Sequence, residues 1–400
     1  MRADTAPMAA PAPVSMPTPG SQSALRRSNQ LRVLRAIRQA GTPTQAEIAR
    51  LTGLSPATVS NIVRELREDG TVVVSPTSAS GRRAQSVSLA RPVGVSVGVD
   101  IGVSHLRVAL SDLGDRVVAE ETIAYDVAAS AERGIRRTVW LVETLLNQTR
   151  VDRSQVIGVG VSVPGPVDAA TGAIDSATIL PGWAGARPAE ELRARLGLPV
   201  HLDNDANLGA LGELVGGAGQ GCSHLVYLQL SNGVGAGIVA DGRLYRGAGG
   251  IAGEIGHITV DARGPICRCG NRGCLETLVG GPYLLQLLPR PVGKEPPPTL
   301  RSVIASALAG DPGCRRILAD AGRAVGNGVA ILANLFNPRL VIIGGELARA
   351  GDLLVQSIRQ SAEQGAIPSA VRGLQVVRGK LGERAQVVGA LALAATAAQP

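Results

Sequence analysis

Between Ser28 and Gln39 the apolar residues Leu31, Leu34 and Ile37 recur at helical spacing and Gly41 stops the run, so the first predicted element is a helix. Thr44 followed by Glu47 is a capping-box pattern, and it opens a short second helix carrying Ala46, Ile48, Ala49 and Leu51. Gly53 supplies a turn. Ser55 as N-cap and Pro56 in the first helical position start a third helix, whose apolar stripe of Val59, Ile62, Val63 and Leu66 is expected to face inward. Its other face is small and polar: Ala57, Thr58, Ser60, Asn61 and Arg64. Two short strand patterns follow, Val72 to Val74 and Val87 to Leu89, on either side of a loop containing Gly81, Arg82 and Arg83. Three helices with a glycine turn before the third also occur in plain bundles that dock proteins. The polar outer face and the arginine-bearing wing favour a winged helix-turn-helix over residues 23–90, with double-stranded DNA as its partner.

Arg91 and Pro92 mark a boundary, and residues 93–400 read as an α/β unit. Its opening, GVSVGVDIG, HLRVALSD and VVAEETIAY, is strand, turn, strand, turn, strand, with the second turn at Gly114 and Asp115. A helix from roughly Ala131 to Thr149 and an apolar strand, VIGVGVSV, come next. After His224 a comparable run restarts, LVYLQLSNGVGAGIVADGRLYRG. An apolar strand that enters a glycine turn and leaves as a second strand thus occurs twice, which predicts two related lobes with a cleft between them. Residues 289–298 read as a loop. Helices resume at Leu300, with a strand at RLVIIGG and a closing helix after Glu383.

Composition sharpens this picture in three places. The net charge is +8, and between Ser21 and Ala90 ten arginines and no lysine face only four acids, so most of the positive excess sits in the helical module. That is the electrostatic footprint of a nucleic-acid-binding unit. With one Phe, two Trp and four Tyr, stacking on unpaired bases is not the expected mode of recognition, and the core must be built from aliphatic residues. Five cysteines is an odd number, and three of them crowd between Cys267 and Cys274, which points to metal ligation in a reducing compartment. Prolines at 7, 11, 13, 17 and 19 interrupt any signal-peptide core, and no long apolar run occurs elsewhere. Residues 1–22 are therefore expected to form a disordered tail on a cytoplasmic protein that does not enter a membrane.

The densest chemistry is His257 followed by C-R-C-G-N-R-G-C, with Cys267, Cys269 and Cys274. Three thiolates and one imidazole make the closed tetrahedral set that structural Zn2+ prefers, and Gly270 and Gly273 allow a loop tight enough to gather the sulfurs. The segment LDNDANLGALGE ends a strand and opens a helix, so Asn204 and Asp205 stand at the mouth of a cleft. An Asn-Asp pair there also serves as a helix cap. Glu254 belongs to E-I-G-H, and Glu276 follows the cysteine loop directly. One carboxylate accepts hydrogen bonds from two adjacent hydroxyls, a chemistry suited to carbohydrates.

From Val93 onward these motifs resemble the ROK family of sugar kinases and sugar-responsive repressors, within the actin-like superfamily of two-lobed α/β ATPases. With the N-terminal module the chain looks like the repressor branch. The resemblance implies that Asp205 matches a general base acting on a sugar hydroxyl, that Asn204, Glu254, His257 and Glu276 contact the sugar, and that the four metal ligands are the family's. It also implies nucleotide loops at Asp100, Gly102 and Ser104, at Asn232 and Gly233, and at Gly344 and Gly345. Here the sequence departs: Val103 stands where a second glycine is usual, Ser231-Asn232-Gly233 replaces G-T-G, and Glu346 replaces a third glycine. The expectation is a sugar-responsive repressor, acting as a homodimer or homotetramer on paired operator half-sites, that binds a sugar or sugar phosphate. The alternative is a working kinase of hexoses or N-acetylhexosamines, using ATP and Mg2+, with a DNA-binding appendage.

Overall fold

The computed structural model describes residues 26, 29, 30, 32–34, 36, 37, 40–79, 82–89, 94–112, 116–126, 130–174, 180–288 and 297–397. The chain forms two compact units that divide between Val93 and Gly94. The expected tail at residues 1–22 and the turn at Gly114 and Asp115 lie outside the described residues, as does most of the expected loop at 289–298.

In the first unit, helix α1 runs within residues 26–40, followed by α2 (Gln45–Thr52), α3 (Pro56–Glu68) and a hairpin of β1 (Val72–Ala79) and β2 (Arg82–Leu89). The capping box at Thr44 and Glu47 forms as expected, and the Ser55 hydroxyl accepts the Thr58 N–H at the start of α3. The core is Val33, Ala36 and Ile37 of α1, Ile48 of α2, the four expected residues of α3, and Val72 and Val87. In α1, Val33, Ala36 and Ile37 are buried with Leu34 packed at their margin, and Leu31 lies outside the described residues. One detail differs from the sequence reading: Leu51 is 60% exposed while Thr52 is buried, its hydroxyl donating to the Ile48 carbonyl. The strands are also longer than their β-branched cores, because paired polar positions extend the ladder to Ala79 opposite Arg82. Arg82 and Arg83 therefore lie on β2 and not in a loop.

The second unit contains two five-stranded sheets of one topology. The first has the order β5-β4-β3-β6-β7, built from β3 (Val95–Ile101), β4 (His105–Ser111), β5 (Val117–Ala124), β6 (Val156–Val163) and β7 (Val200–Asn204). The second has the order β10-β9-β8-β11-β12, from β8 (Leu225–Leu230), β9 (Val234–Ala240), β10 (Arg243–Tyr245), β11 (Leu340–Gly344) and β12 (Gln375–Arg378). In each, three antiparallel strands are followed by two parallel ones. Central strands β3 and β11 are buried along their whole length, whereas the edge strand β5 alternates. Helices α4 (Ala131–Thr149) and α5 (Pro188–Leu196) serve the first lobe. In the second, α7 (Glu276–Val279), α8 (Gly281–Gln286), α9 (Leu300–Leu308), α10 (Pro312–Phe336), α11 (Asp352–Gly365) and α12 (Pro368–Val371) join its sheet.

Two helices exchange lobes. Helix α6 (Asp205–Gly216) leaves the first sheet and lies on the second, whereas α13 (Ala385–Ala397) leaves the second and lies on the first. The glycines that interrupt the valine runs make this possible: a Cβ on Gly160 would stand 1.9 Å from the Ala390 carbonyl oxygen, and one on Gly237 2.3 Å from that of Ala206. The two helices touch backbone to backbone at a reciprocal pair. A Cβ on Gly212 would meet the Ala385 carbonyl at 2.1 Å, and one on Gly389 the Leu208 carbonyl at 1.8 Å.

Candidate functional site

In the first unit, the expected recognition face of α3 is open. Ala57, Ser60, Asn61 and Arg64 are exposed, and Arg64 donates to the side-chain Oδ1 of Asn61 at 3.3 Å. Thr58 is half-buried and its hydroxyl lies 2.8 Å from that of Ser55, so the helix cap absorbs part of that side chain.

In the second unit, the candidate residues gather at the carboxyl ends of the parallel strands, where open α/β sheets place ligands. Asp100 is the penultimate residue of β3, Asn204 ends β7 and Gly344 ends β11, while Asn232 and Gly233 lie in the turn between β8 and β9.

The cysteine loop closes on His257. The ligand atoms of His257, Cys267, Cys269 and Cys274 all lie within 4.8 Å of one another. Cys269 and Cys274 sulfurs are 3.7 Å apart, and His257 Nδ1 is 3.6 Å from the Cys267 sulfur. Ligands about 2.3 Å from a tetrahedral zinc stand roughly 3.8 Å apart, so these spacings fit the ion. Gly270 and Gly273 adopt positive φ of 92° and 64°, which lets the loop turn back on itself. Burial and the neighbouring sulfurs push the Cys274 thiol up to about 12, a cost that a bound cation would relieve. The imidazole has two faces: Nδ1 points at the thiols, and Nε2 is 3.8 Å from a Glu254 carboxylate oxygen. One side chain can therefore serve the metal and the cleft together.

Glu276 is 1% exposed. Its Oε2 accepts from Arg268 at 2.5 Å and from the Val234 N–H at 3.1 Å, while Oε1 is buried and unpartnered. Arg268 lies between Cys267 and Cys269, so the cysteine loop itself holds the carboxylate. Burial raises the Glu254 pKa, as does the charge of Glu276. Asp205 is pushed up to about 7, first by burial and then by the charge of Asp100, with a smaller push from Glu254. Asn204 caps α6: its side-chain Oδ1 accepts the N–H groups of Ala206 and Asn207, and its Nδ2 donates to the Gly165 carbonyl at 2.9 Å.

Sequence reasoning missed several supporting groups. Asp203 is buried and holds the amide of Asn207 at 2.8 Å and the guanidinium of Arg246, from the other lobe, at 2.7 Å. The signal available was the spacing of Asp203 and Asn207, one helical turn apart. His105 Nε2 is 3.0 Å from Asp100 Oδ2. At the second nucleotide loop the Ser231 hydroxyl accepts the Glu346 N–H at 2.9 Å, and Gly233 packs against Arg268 and Glu276. The two candidate sets are thus contiguous.

A winged helix-turn-helix on the same chain as a two-lobed, kinase-fold body with acidic residues at its strand ends and a Cys3His cluster defines a regulator built on a sugar-kinase scaffold. The chain belongs to the ROK family, whose model matches residues 96–397, and the MarR family model matches residues 25–83. A xylose repressor of Caldicellulosiruptor bescii is 32% identical over 387 residues, spanning 94% of this chain and 97% of that protein. A crystal structure of a ROK family transcriptional regulator, a homologue of the E. coli MLC protein, superposes with a TM-score of 0.77 at 27% identity, covering 94% of this chain and 96% of its own. A ROK family glucokinase from Streptomyces griseus, crystallised with glucose and AMPPNP, gives a TM-score of 0.65 at 30% identity, covering 75% of this chain and 99% of its own. Among the described residues no helix is long and apolar enough to cross a membrane.

Proposed function

We propose that this protein is a sugar-responsive transcriptional repressor: residues 23–90 bind operator DNA, and the body at residues 93–400 binds a sugar or sugar phosphate that changes operator affinity. The observation that carries the sugar reading is Glu276, a buried carboxylate beside the cysteine loop with one oxygen held by Arg268 and the other without a partner among the described residues. A buried acceptor without a partner is costly, and a hydroxyl-rich ligand would satisfy it. Asn204, Asp205, Glu254 and His257 complete the proposed sugar set, with Zn2+ on His257, Cys267, Cys269 and Cys274. On α3, Thr58, Ser60, Asn61 and Arg64 are the proposed DNA contacts, with Arg82 and Arg83 from the wing. The similarity to a xylose repressor puts pentoses first in the screen. A thermal-shift panel of pentoses, hexoses, N-acetylhexosamines and their phosphates tests the reading, because a ligand bound to the native state stabilises it by mass action. A panel without a single shift would sink it.

A second reading, a sugar kinase joined to a DNA-binding unit, is favoured by one observation: Asp205 is pushed up to about 7, where a general base is effective. The altered loops at Val103 and Asn232 oppose it, since phosphoryl transfer depends on holding the nucleotide in line. A coupled assay with ATP, Mg2+ and the identified sugar, with Asp205→Ala as the blank, separates the two. Turnover of about 1–10³ s⁻¹ lost in the blank would favour the kinase.

A further inference from the structure

The kinase fold implies a nucleotide and Mg2+, and the hairpin between β3 and β4 does not fit them. The chain reverses through Gly102, Val103 and Ser104, and the Gly102 N–H donates to the His105 carbonyl at 3.0 Å. From the first position of β4 the His105 ring folds back over Gly102. A Cβ on that glycine would begin 2.1 Å from ring carbon Cε1, so the ring fills the space that the missing side chain leaves. Its Nε2 rests 3.0 Å from Oδ2 of Asp100, a carboxylate whose side chain is only 6% exposed. The small residue that would let a phosphate approach has instead admitted an imidazole from the chain itself.

Electrostatics agree with the geometry. The hydrogen bond to Asp100 raises the His105 pKa, with burial and Arg107 opposing and Glu383 assisting more weakly. The Asp100 charge also reaches Asp205. The charges of Asp100 and Glu254 both bear on Asp205, and the imidazole of His105 already partners Asp100. A Mg2+ ion held by Asp100 would need carboxylate and water oxygens at about 2.0–2.1 Å in octahedral order, and the imidazole, 3.0 Å from Oδ2, already occupies that oxygen.

We propose that His105 is an internal occupant of the metal-and-phosphate position: held on Asp100 over Gly102, it excludes Mg2+ and nucleotide phosphates and leaves a cleft that takes a sugar alone. This rests on the sugar-sensing reading above and names what makes it selective.

The test uses the full chain as wild type, His105→Ala and His105→Asn, the second retaining a polar side chain in case the first does not fold. Calorimetric titration with ATP and Mg2+, and separately with Mn2+ alone, measures binding without reference to turnover. The expected result is no measurable nucleotide binding by the wild type and affinity about tenfold or more higher in the variants. Folded variants without that gain would overturn the proposal, and wild-type binding at sub-millimolar ATP and Mg2+ would overturn it whatever the variants do. The wild-type sugar panel is read separately. A missing sugar shift removes the sensor reading and leaves the nucleotide comparison to be judged by itself.

Discussion

At the scale of single residues, the proposed metal ligands adjoin the proposed sugar contacts and share His257, and this has measurable consequences. Arg268 sits between Cys267 and Cys269 and holds Glu276, so if the cluster carries the proposed zinc, its loss should loosen a carboxylate outside the ligand set. Elemental analysis should find one zinc per chain, and chelation or Cys269→Ser should lower both melting temperature and sugar affinity, the latter by roughly tenfold or more. Full sugar affinity in a zinc-free variant would refute the coupling. Asp205 supplies a pH test. Its ordinary pKa is 3.8 and the fold pushes it up to about 7, so the folded chain holds this proton more tightly than the unfolded one. Its contribution to stability is then lost as pH rises from about 4 through about 7. Asp205→Asn should melt higher than wild type at about pH 8, and the gap should shrink toward about pH 5. A gap independent of pH would remove the buried charge as its cause. Residues bearing rare chemistry in close spacing, such as the three cysteines, were legible in the sequence. Asp203 with Arg246, and Arg268 with Glu276, were not, because an arginine announces no partner until the fold brings one from another element.

At the scale of elements, the helices and central strands were legible because their apolar periods are long and their caps sit where the pattern starts. Thr44, Ser55 and Pro56 mark real helix starts, and α4 and β6 have the bounds that their apolar patterns imply. The four-residue strand β12 was not legible, since Gln375, Val376, Val377 and Arg378 are too short a run to show a period. Nor was the exchange of α6 and α13, which depends on which glycines meet across lobes. Gly389→Ala would drive a methyl group into the Leu208 carbonyl, a backbone atom that cannot step aside. It should cost about 1–3 kcal/mol in denaturant unfolding. Gly249→Ala, with open space around it, should stay within about 0.5 kcal/mol. Equal effects would mean that the helix crossing tolerates the added atom. The wing has its own test. Arg82→Ala with Arg83→Ala should weaken binding to all DNA sequences and flatten the salt dependence by up to about two charges. Asn61→Ala should instead relax preference at particular bases, so a change in salt slope alone would take Asn61 out of the base-reading set.

For the whole molecule, the division of labour was legible because the two units differ in composition as well as in period: arginine excess before residue 91, glycine-interrupted valine strands after it. Their coupling is a property of neither unit alone, and thermodynamics constrains it without reference to how the units are arranged. If a sugar in the body changes operator affinity by some factor, the operator must change sugar affinity by the same factor. Useful regulation corresponds to about 1–3 kcal/mol, or roughly 5–150-fold. The prediction is therefore two numbers that must agree. Operator affinity with and without saturating sugar comes from fluorescence anisotropy, and sugar affinity with and without saturating operator from calorimetry, at one salt concentration because phosphate contacts make DNA affinity steeply salt-dependent. A short duplex carrying two half-sites is the proper operator, since helix-turn-helix units are expected to act in pairs, and sedimentation of the complex should give two or four chains per duplex. Sugar binding that is indifferent to operator, alongside operator binding that is indifferent to sugar, would leave a DNA-binding protein and a sugar-binding protein that share only a chain.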